Sequence, residues 1–594
     1  MRTGLALIVA LAGCVDPTPY TETPQATTEV EDWRDEIIYQ LLVDRYANGD
    51  RNNDYNVSQN PQSLARYLGG DYQGVIDNVD YLNDLGITTV WVSPIVVNVE
   101  VDAGVSSYHG YWTQDFLGVN PHFGDLAKFR EMVDVLHEND IKVVLDIVAN
   151  HVGQLFYYDI NRNGQPDSTV FGAGGLSQDE FWGDPIEIVS EWDPAYDLRG
   201  IQGETSLGES GPSPLGWVYM PEINRVPPRP AIFHNDDWYN RRGRVTDWND
   251  RDQVVKGDFP GGLKDLDTSN PEVAAALIDV FTYWIRETNI DGFRIDTIKH
   301  VEHSFWQQFN PAMREAAAEI GKDNFLQFGE AFDGDDALLG SYTFDQEMDS
   351  VFYFSQKFQV FDGVFKGREP TSKIEELFNN RAQNYGGVPH PGGIGISPQQ
   401  ALINFIDNHD IPRFQYEMAG EEQLKAALVY LLTEDGIPCL YYGTEQGFSG
   451  GNDPANREPL WETQYATDGD LFQHTAALTH VRRSYAPLTR GSMELRWTTP
   501  RMGDEEDADI VAFERLLDGE SVLVVIHADA GTSHTSFQGN DMPVSFPNGT
   551  VLAPAFPIDD PRRFTVSGGT VRVEAGAFEG LVLVPEDQLQ TIEL

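Results

Sequence analysis

The stretch KVVLDIVANH (142–151) decides how the rest of the chain is read. Its first six residues are apolar except for Lys142 and Asp146. A strand covered on both faces reads as such a run rather than as an alternation, the mark of a parallel sheet between helices. Directly after it the character changes, and Asn150 and His151 collect where the strand should end. Apolar runs of strand length recur at 37–43, 88–93, 292–296, 325–329, 350–354, 402–406 and 438–442. With 142–147 these make eight candidate strands. The intervening segments read as helices. Asn270-Pro271-Glu272 offers an N-cap, a first-turn proline and a first-turn acid, and Val273, Leu277, Val280, Phe281, Trp284 and Ile285 follow as one stripe of helical period. Eight strand–helix units predict an α/β chain with a (β/α)₈ barrel over 35–150 and 269–490. A doubly wound open sheet is the alternative.

Two stretches interrupt the alternation. Residues 151–268 are rich in Gly, Pro, Asp and Trp and too long for a bare loop, so they predict a small inserted domain after the third strand. Residues 491–594 carry short β runs with turn signals, as in SVLVVIHADAGT and GTVRVEAGAFEGLVLVPE, and predict a C-terminal antiparallel β domain.

The chain has 594 residues, with 94 Asp and Glu against 40 Lys and Arg, a formal charge of −54. An apolar fraction of 41% is that of a packed globular protein and excludes wholesale disorder. The acidity excludes nucleic-acid binding through a basic face. Cys14 and Cys439 are the only cysteines, so a disulfide framework is excluded. Residues 1–13 read as a signal peptide, and Leu11-Ala12-Gly13-Cys14 resembles the bacterial lipoprotein box, in which cleavage leaves a lipid-modified Cys14. Residues 14–34, rich in Pro, Thr and acids, then read as a tether. The expectation is an exported, monomeric protein held to a bacterial membrane only by that lipid; the plainer alternative is a secretory signal with a chance cysteine.

Polar residues gather just past several strands: Asp146, Asn150 and His151 after the third; Arg294, Asp296, Lys299 and His300 at the fourth; Glu330 after the fifth; Asp407, His409 and Asp410 after the seventh. One such residue alone reads as a helix cap. Four clusters fit a barrel whose active site lies at the C-terminal ends of its strands. Three carboxylates on separate strands, Asp296, Glu330 and Asp410, suit glycoside cleavage, which needs a proton donor for the leaving oxygen and a carboxylate facing an oxocarbenium-like centre. Arg294, two residues before Asp296, points to the same side and keeps it ionised. His151 and His409 suit sugar hydroxyls, and Tyr111 and Trp112, in the polar stretch SSYHGYWTQD, offer flat faces to a pyranose ring.

DIVANH (146–151), GFRIDTIKH (292–300), FGE (328–330) and FIDNHD (405–410) resemble the four ordered signature segments of the α-amylase family, glycoside hydrolase family 13. YHGYWTQDF (108–116), GGLKDLD (261–267) and GIPCLYYGTEQ (436–446) match as well. The resemblance covers about 35–594. It implies Asp296 as nucleophile, Glu330 as general acid/base and Asp410 as a transition-state stabiliser. Arg294, His151, His409 and Tyr111 would line the −1 sugar subsite, with Lys299 and His300 toward the leaving group. The insertion becomes domain B and the β-rich tail domain C. The implied reaction is retaining endo-hydrolysis of α-1,4 bonds in starch or glycogen. Transglycosylation is the rival, because Gly450 to Arg457 looks like a glucanotransferase segment whose Asp453 and Arg457 hold a donor-side sugar. Against it, the chain ends after the domain C region. A non-catalytic glucan-binding relative is disfavoured, since all three carboxylates stand.

Calcium takes six to eight oxygen ligands, and two stretches supply them densely. Asn48, Asp50, Asn53 and Asp54, with Gly69 and Asp71, resemble a calcium loop of cyclodextrin glucanotransferases. Asp159, Asn161, Asn163, Gln165 and Asp167 place oxygens at alternate positions with Gly164 sixth, like an EF-hand loop, but Val170 stands where the twelfth-position Glu should be. The family alone implies a third site from Asn150, Asp265 and the His300 carbonyl. One to three structural Ca²⁺ ions are expected; solvated Asx-rich turns are the alternative. Lone Cys439, in an apolar run, reads as core. The remaining acid excess reads as a solvated surface suited to salty surroundings.

Overall fold

The computed structural model describes residues 28–592 except 160–163, 165–166, 170–183, 187–211, 244, 246, 260–261 and 418. The eight expected strands are present as β1 (Ile38–Leu41), β2 (Thr89–Val92), β3 (Lys142–Ile147), β4 (Gly292–Ile295), β5 (Leu326–Gly329), β6 (Ser350–Val351), β7 (Ile403–Phe405) and β8 (Ile437–Tyr441). They form one parallel sheet in the order β6-β5-β4-β3-β2-β1-β8-β7. The two edges meet through a single parallel bridge between Phe352 and Ile403, which nearly closes the ring into a TIM-type barrel. An open doubly wound sheet is thereby excluded.

β6 is shorter than its apolar run suggests. The run 350–354 contains Phe354, which begins a helical segment instead of ending a strand. An aromatic run of this length does not by itself separate strand from helix. Ring contacts join strands that are not neighbours: Trp91 of β2 meets Phe328 of β5 at 5.9 Å between centroids, and Phe352 at 5.3 Å. Such contacts must cross the barrel, so the interior is a packed core and not a pore. Helix α1 (Pro271–Thr288) starts as its sequence dictates, with the Asn270 side chain accepting from Glu272 N and proline in the first turn. Its stripe of Val273, Leu277, Val280, Phe281, Trp284 and Ile285 is buried.

The described part of the segment between β3 and α1 contains short antiparallel pairs. Phe156–Tyr158 pairs with Leu215–Trp217, and His151–Val152 with Lys264–Asp265. After the barrel, a six-stranded antiparallel sheet is built from Ser492–Trp497, Ile510–Leu517, Glu520–His527, Val551–Phe556, Phe564–Thr565 and Gly580–Pro585. Of two fully buried arginines, Arg515 fastens this sheet to the barrel, and Arg482 ties the barrel's last helix to the N-terminal segment and the entry to β8. Arg515 donates to the carbonyl oxygens of Thr433, Leu488, Thr489 and Gly491 at 2.7–3.3 Å. Arg482 donates to those of Arg34, Leu432, Glu434 and Gly436 at 2.9–3.3 Å. Cys439 is a buried free thiol in β8 whose burial pushes its pKa up, which suits a core residue and not a nucleophile. Among the described residues no helix is long and apolar enough to cross a membrane.

Candidate active site

Because all eight strands run the same way, residues at their C-terminal ends share one face. Asp146 sits one residue before the end of β3 and Arg294 one before the end of β4; Asp296 and Glu330 follow β4 and β5 directly. His409 and Asp410 stand in the loop after β7. A cleft of about 680 Å³ opens over this face. Tyr111, Trp112, His151, Asp296, Lys299, His300, Glu330, His409, Asp410, Asp453 and Arg457 all line it. Arg294 lies beneath, fully buried.

Arg294 organises the floor. Its Nη1 donates to Asp296 Oδ1 at 2.8 Å and to both Asp146 oxygens at 2.9 and 3.1 Å, and its Nη2 lies 3.5 Å from Glu330 Oε2. Asp146 also accepts from the Tyr111 hydroxyl at 2.7 Å and from Trp91 Nε1 at 3.2 Å. Three buried carboxylates therefore share one guanidinium. Ionising all three would leave a net charge of −2 beside the guanidinium in a low dielectric, and holding a proton among them halves that excess. The proton belongs on Glu330, which Arg294 reaches only at 3.5 Å while bonding the other two directly. Burial, only partly offset by Arg294 and reinforced by the charges of Asp296 and Asp410, pushes Glu330 up from 4.5 to about 8. Burial raises Asp296 as well, against the pull of Arg294, and raises Asp410 against Arg457 and Arg294.

Local backbone aims these groups. Thr297, next to Asp296, has φ 49° and ψ 39°, a left-handed conformation that a β-branched residue rarely adopts. The strained turn points its N–H at Glu330 Oε2, 3.1 Å away. Gly329, the last residue of β5, is required by packing, since a Cβ there would lie 2.5 Å from Ile298 Cδ1. The loop after β7 is clamped from above by the 450–457 segment. Asn456 Nδ2 donates to the His409 and Ile411 carbonyls, both at 2.8 Å, and Arg457 Nε to the His409 carbonyl at 3.1 Å. Arg457 also pairs with Asp453 at 2.9 Å and lies 3.4 Å from Asp410. His409 bridges Gln40 and Asp410 at 2.6 and 3.1 Å. Burial keeps the imidazoles neutral near pH 7: His151 falls to about 4, His300 to about 3, and His109 and His409 also fall well below 6.5.

Sequence reasoning missed several cleft residues. His109, stacked on Tyr111 at 5.7 Å, stood in view inside YHGYW. Asp146 was visible as a strand-end acid, but its role as second partner of Arg294 needs the register of β3 beside β4, where Arg294 faces Asp146. Phe332 and Asp333 follow Glu330 closely, and Lys299 Nζ donates to the Phe332 carbonyl. Trp248, Asn249 and Phe259 come from the insertion, whose sequence carries no period to place them.

Oxygens converge at one of the expected calcium positions, and partnerless amide oxygens mark a second. Asn150 Oδ1 faces the His300 carbonyl oxygen at 3.1 Å and Asp265 Oδ1 at 3.2 Å, three acceptors with no proton between them. Rotating the amide would turn them into hydrogen bonds; a cation would satisfy them as they stand. Near the N-terminus, Asn48 Oδ1 and Asn53 Oδ1 are buried without a partner. Gly69 closes that loop, and a Cβ there would meet Asn48 Nδ2 at 2.5 Å and Asp54 Oδ1 at 2.7 Å. Asp50 and Asp71 act differently from simple ligands. Asp50 caps Asn52 N, and Asp71 accepts from the amides of Gly49, Asp50 and Gly74 at 2.7–3.2 Å. In the third stretch Asp159 accepts from Gly164 N at 3.0 Å, while Asn161, Asn163 and Gln165 lie outside the described residues. Among the described residues no group of three or more His, Cys, Asp or Glu gathers as a metal site.

The α-amylase catalytic-domain family model matches residues 40–486. The chain belongs to the α-amylase family. Among curated relatives of this family member, a β/α-amylase of Paenibacillus polymyxa is 30% identical over 535 residues, covering 88% of this chain and 36% of that protein. The chain spans about a third to three-fifths of the length of the first curated relatives it matches. Among solved structures, an Anoxybacillus α-amylase aligns with TM-score 0.69 at 26% identity, over 94% of this chain and 99% of that one. CldA, a cyclomaltodextrin glucanotransferase described as having a three-domain ABC distribution, shares the fold with TM-score 0.69 at 23% identity, over 94% of this chain and 99% of that one.

Proposed function

We propose that this α-amylase-family chain hydrolyses internal α-1,4-glucosidic bonds of starch- or glycogen-type glucans with retention of configuration. The observation that carries the proposal is the single guanidinium of Arg294 among Asp146, Asp296 and Glu330, which ionises Asp296 and leaves a proton on Glu330. Glu330 donates that proton to the glycosidic oxygen as Asp296 attacks the anomeric carbon. A glycosyl ester forms, and ionised Glu330 then takes a proton from the water that breaks it. Asp410, held by His409 and Arg457, receives hydroxyls of the −1 sugar. His151, His409 and Tyr111 line that subsite, Trp112 offers a face to the ring, and Lys299 and His300 meet the leaving-group side. NMR of the first products from maltoheptaose tests this. An α-anomer with rising reducing ends supports it, and a β-anomer refutes it.

Transfer of the glycosyl unit to a second sugar is the other reading, supported by Asp453 and Arg457 at the edge of the cleft. Cyclic or elongated glucans with few new reducing ends would establish it. The residues at 150, 265 and 300 fit a hard cation through their three facing oxygens, and the loop with Asn48, Asn53 and Asp54 fits one through its orphaned amide oxygens. Calcium there would stiffen the cleft wall and supply no step of the chemistry. We place the barrel at 35–150 and 269–490, domain B at 151–268 and domain C at 491–594. The signal and Cys14 support an exported protein held to a membrane by lipid.

A further inference from the structure

We propose that the protein stands on its membrane with the N-terminal face of the barrel toward the lipid and the cleft toward the aqueous side, so that its substrate is a glucan arriving from solution and not sugars carried on lipid headgroups of the same leaflet. The proposal rests on the lipid-anchor reading of Cys14.

The geometry is that of the first described residues. Thr28 Oγ1 donates to Asp291 Oδ1 at 3.0 Å, Asn324 Nδ2 donates to the Val30 carbonyl at 2.6 Å, and Trp33 Nε1 donates to the Asn324 carbonyl at 2.6 Å. Asp291 immediately precedes β4, and Asn324 comes two residues before β5. Both therefore mark the N-terminal ends of strands whose C-terminal ends carry Asp296 and Glu330. Asp291 is itself immobilised, since it accepts from Val143 N at 2.8 Å and pairs with His137 at 2.8 Å and with Lys322. Further along, Arg490 binds Asp35 through Nε at 2.9 and 3.0 Å. The segment is thus pinned under the barrel at several points, and the chain leaves the body from the face opposite the cleft.

Lengths decide what this permits. The four residues of β4 lie between Asp291 and Asp296, five steps or about 16 Å along the strand. From Cys14 to Thr28 is fourteen residues, which reach at most about 50 Å when fully extended. A globular body of this size has a radius of gyration of about 24 Å and is about 60 Å across. The tether is shorter than the path around the body, so it cannot turn the cleft onto the bilayer. The charge acts in the same direction, because a body at −54 is repelled by an anionic leaflet.

The test uses the full chain, produced in a lipoprotein-processing bacterium and reconstituted in phosphatidylglycerol-containing vesicles that carry an energy-acceptor lipid. Cys439 is buried and Cys14 is consumed by the lipid, so one introduced cysteine is the only thiol a dye can label. Asp323→Cys, or Glu319→Cys as a second choice, reports the face beneath the barrel; Tyr219→Cys reports the insertion after β3, where Tyr219 is 76% exposed. The expected result is energy transfer to the bilayer several-fold stronger from position 323 or 319 than from 219. Equal or reversed transfer, from protein that floats with the vesicles, overturns the orientation alone. Wild type that fails to float, like Cys14→Ser, overturns the lipid-anchor reading and the proposal with it.

Discussion

Replacing Glu330 by glutamine should abolish turnover and at the same time stabilise the protein, increasingly so as pH rises. Glu330 is 5% exposed, and burial with the neighbouring carboxylates lifts its titration from 4.5 to about 8. A folded-state pKa above the unfolded one means that the native protein holds this proton more tightly. The associated stability is fully present below pH 4.5 and is lost as pH rises toward about 8. Each unit of separation is worth about 1.4 kcal/mol, so the acid costs under about 1 kcal/mol at pH 5 and about 3 kcal/mol at pH 7. Glutamine keeps the shape and the acceptor and never ionises. The melting temperature of Glu330→Gln should therefore match that of wild type near pH 4.5 and exceed it by about 3–5 °C near pH 7.5. The assay is differential scanning fluorimetry across pH 4.5–8.5, with kcat/KM of the wild type measured over the same range. The basic limb of that profile reports the free enzyme's acid and should lie near pH 8. A melting difference that does not change with pH, or a basic limb below pH 6, refutes the assignment of the proton to Glu330.

Asp296→Asn should lower kcat by at least about 10³-fold, with circular dichroism and melting temperature preserved, because it removes the attacking oxygen and leaves the packing intact. Chelation should lower the melting temperature, and calcium should restore it where magnesium does not; Asp265→Ala should weaken that response. Gly69→Ala combines a positive φ of 98° with approaches of 2.5 and 2.7 Å, and should cost about 2–3 kcal/mol in urea unfolding. Arg515→Leu should leave four buried carbonyls without a donor and destabilise by about 3–5 kcal/mol, read as an earlier unfolding transition with kcat/KM unchanged below it.

Much of this architecture can be read in the chain because each barrel strand announces itself twice, first as an apolar run and then as a polar cluster. KVVLDIVANH and GFRIDTIKH show both signals, and the strands form where those runs lie. The signal fails where only half of it is present. The run at 350–354 ends in three consecutive aromatics, and it divides into a two-residue strand and a helix because nothing local decides between them. Functional residues divide similarly. Asp296, Glu330 and Asp410 stand at strand ends and are legible; Asp146 becomes a partner of Arg294 only when β3 and β4 are in register. Trp248 and Phe259 enter the cleft from an insertion without hydrophobic period, so no pattern locates them. The calcium loops show a subtler limit. Composition identifies oxygen-rich turns, but whether a carboxylate faces an ion or staples amides, as Asp71 does, depends on backbone direction.

The fastening between barrel and C-terminal sheet has a consequence for the surroundings in which the protein can work. Arg515 grips four carbonyl oxygens and no carboxylate. Mobile ions weaken attraction between full charges over a Debye length of about 10 Å at 0.1 M and far less at molar strength. A buried guanidinium bonded at contact distance to backbone dipoles offers those ions nothing to screen. Brine that dissolves the ion pairs of the acidic exterior therefore leaves this joint as tight as fresh water does, and the two halves of the body keep their alignment across the whole range.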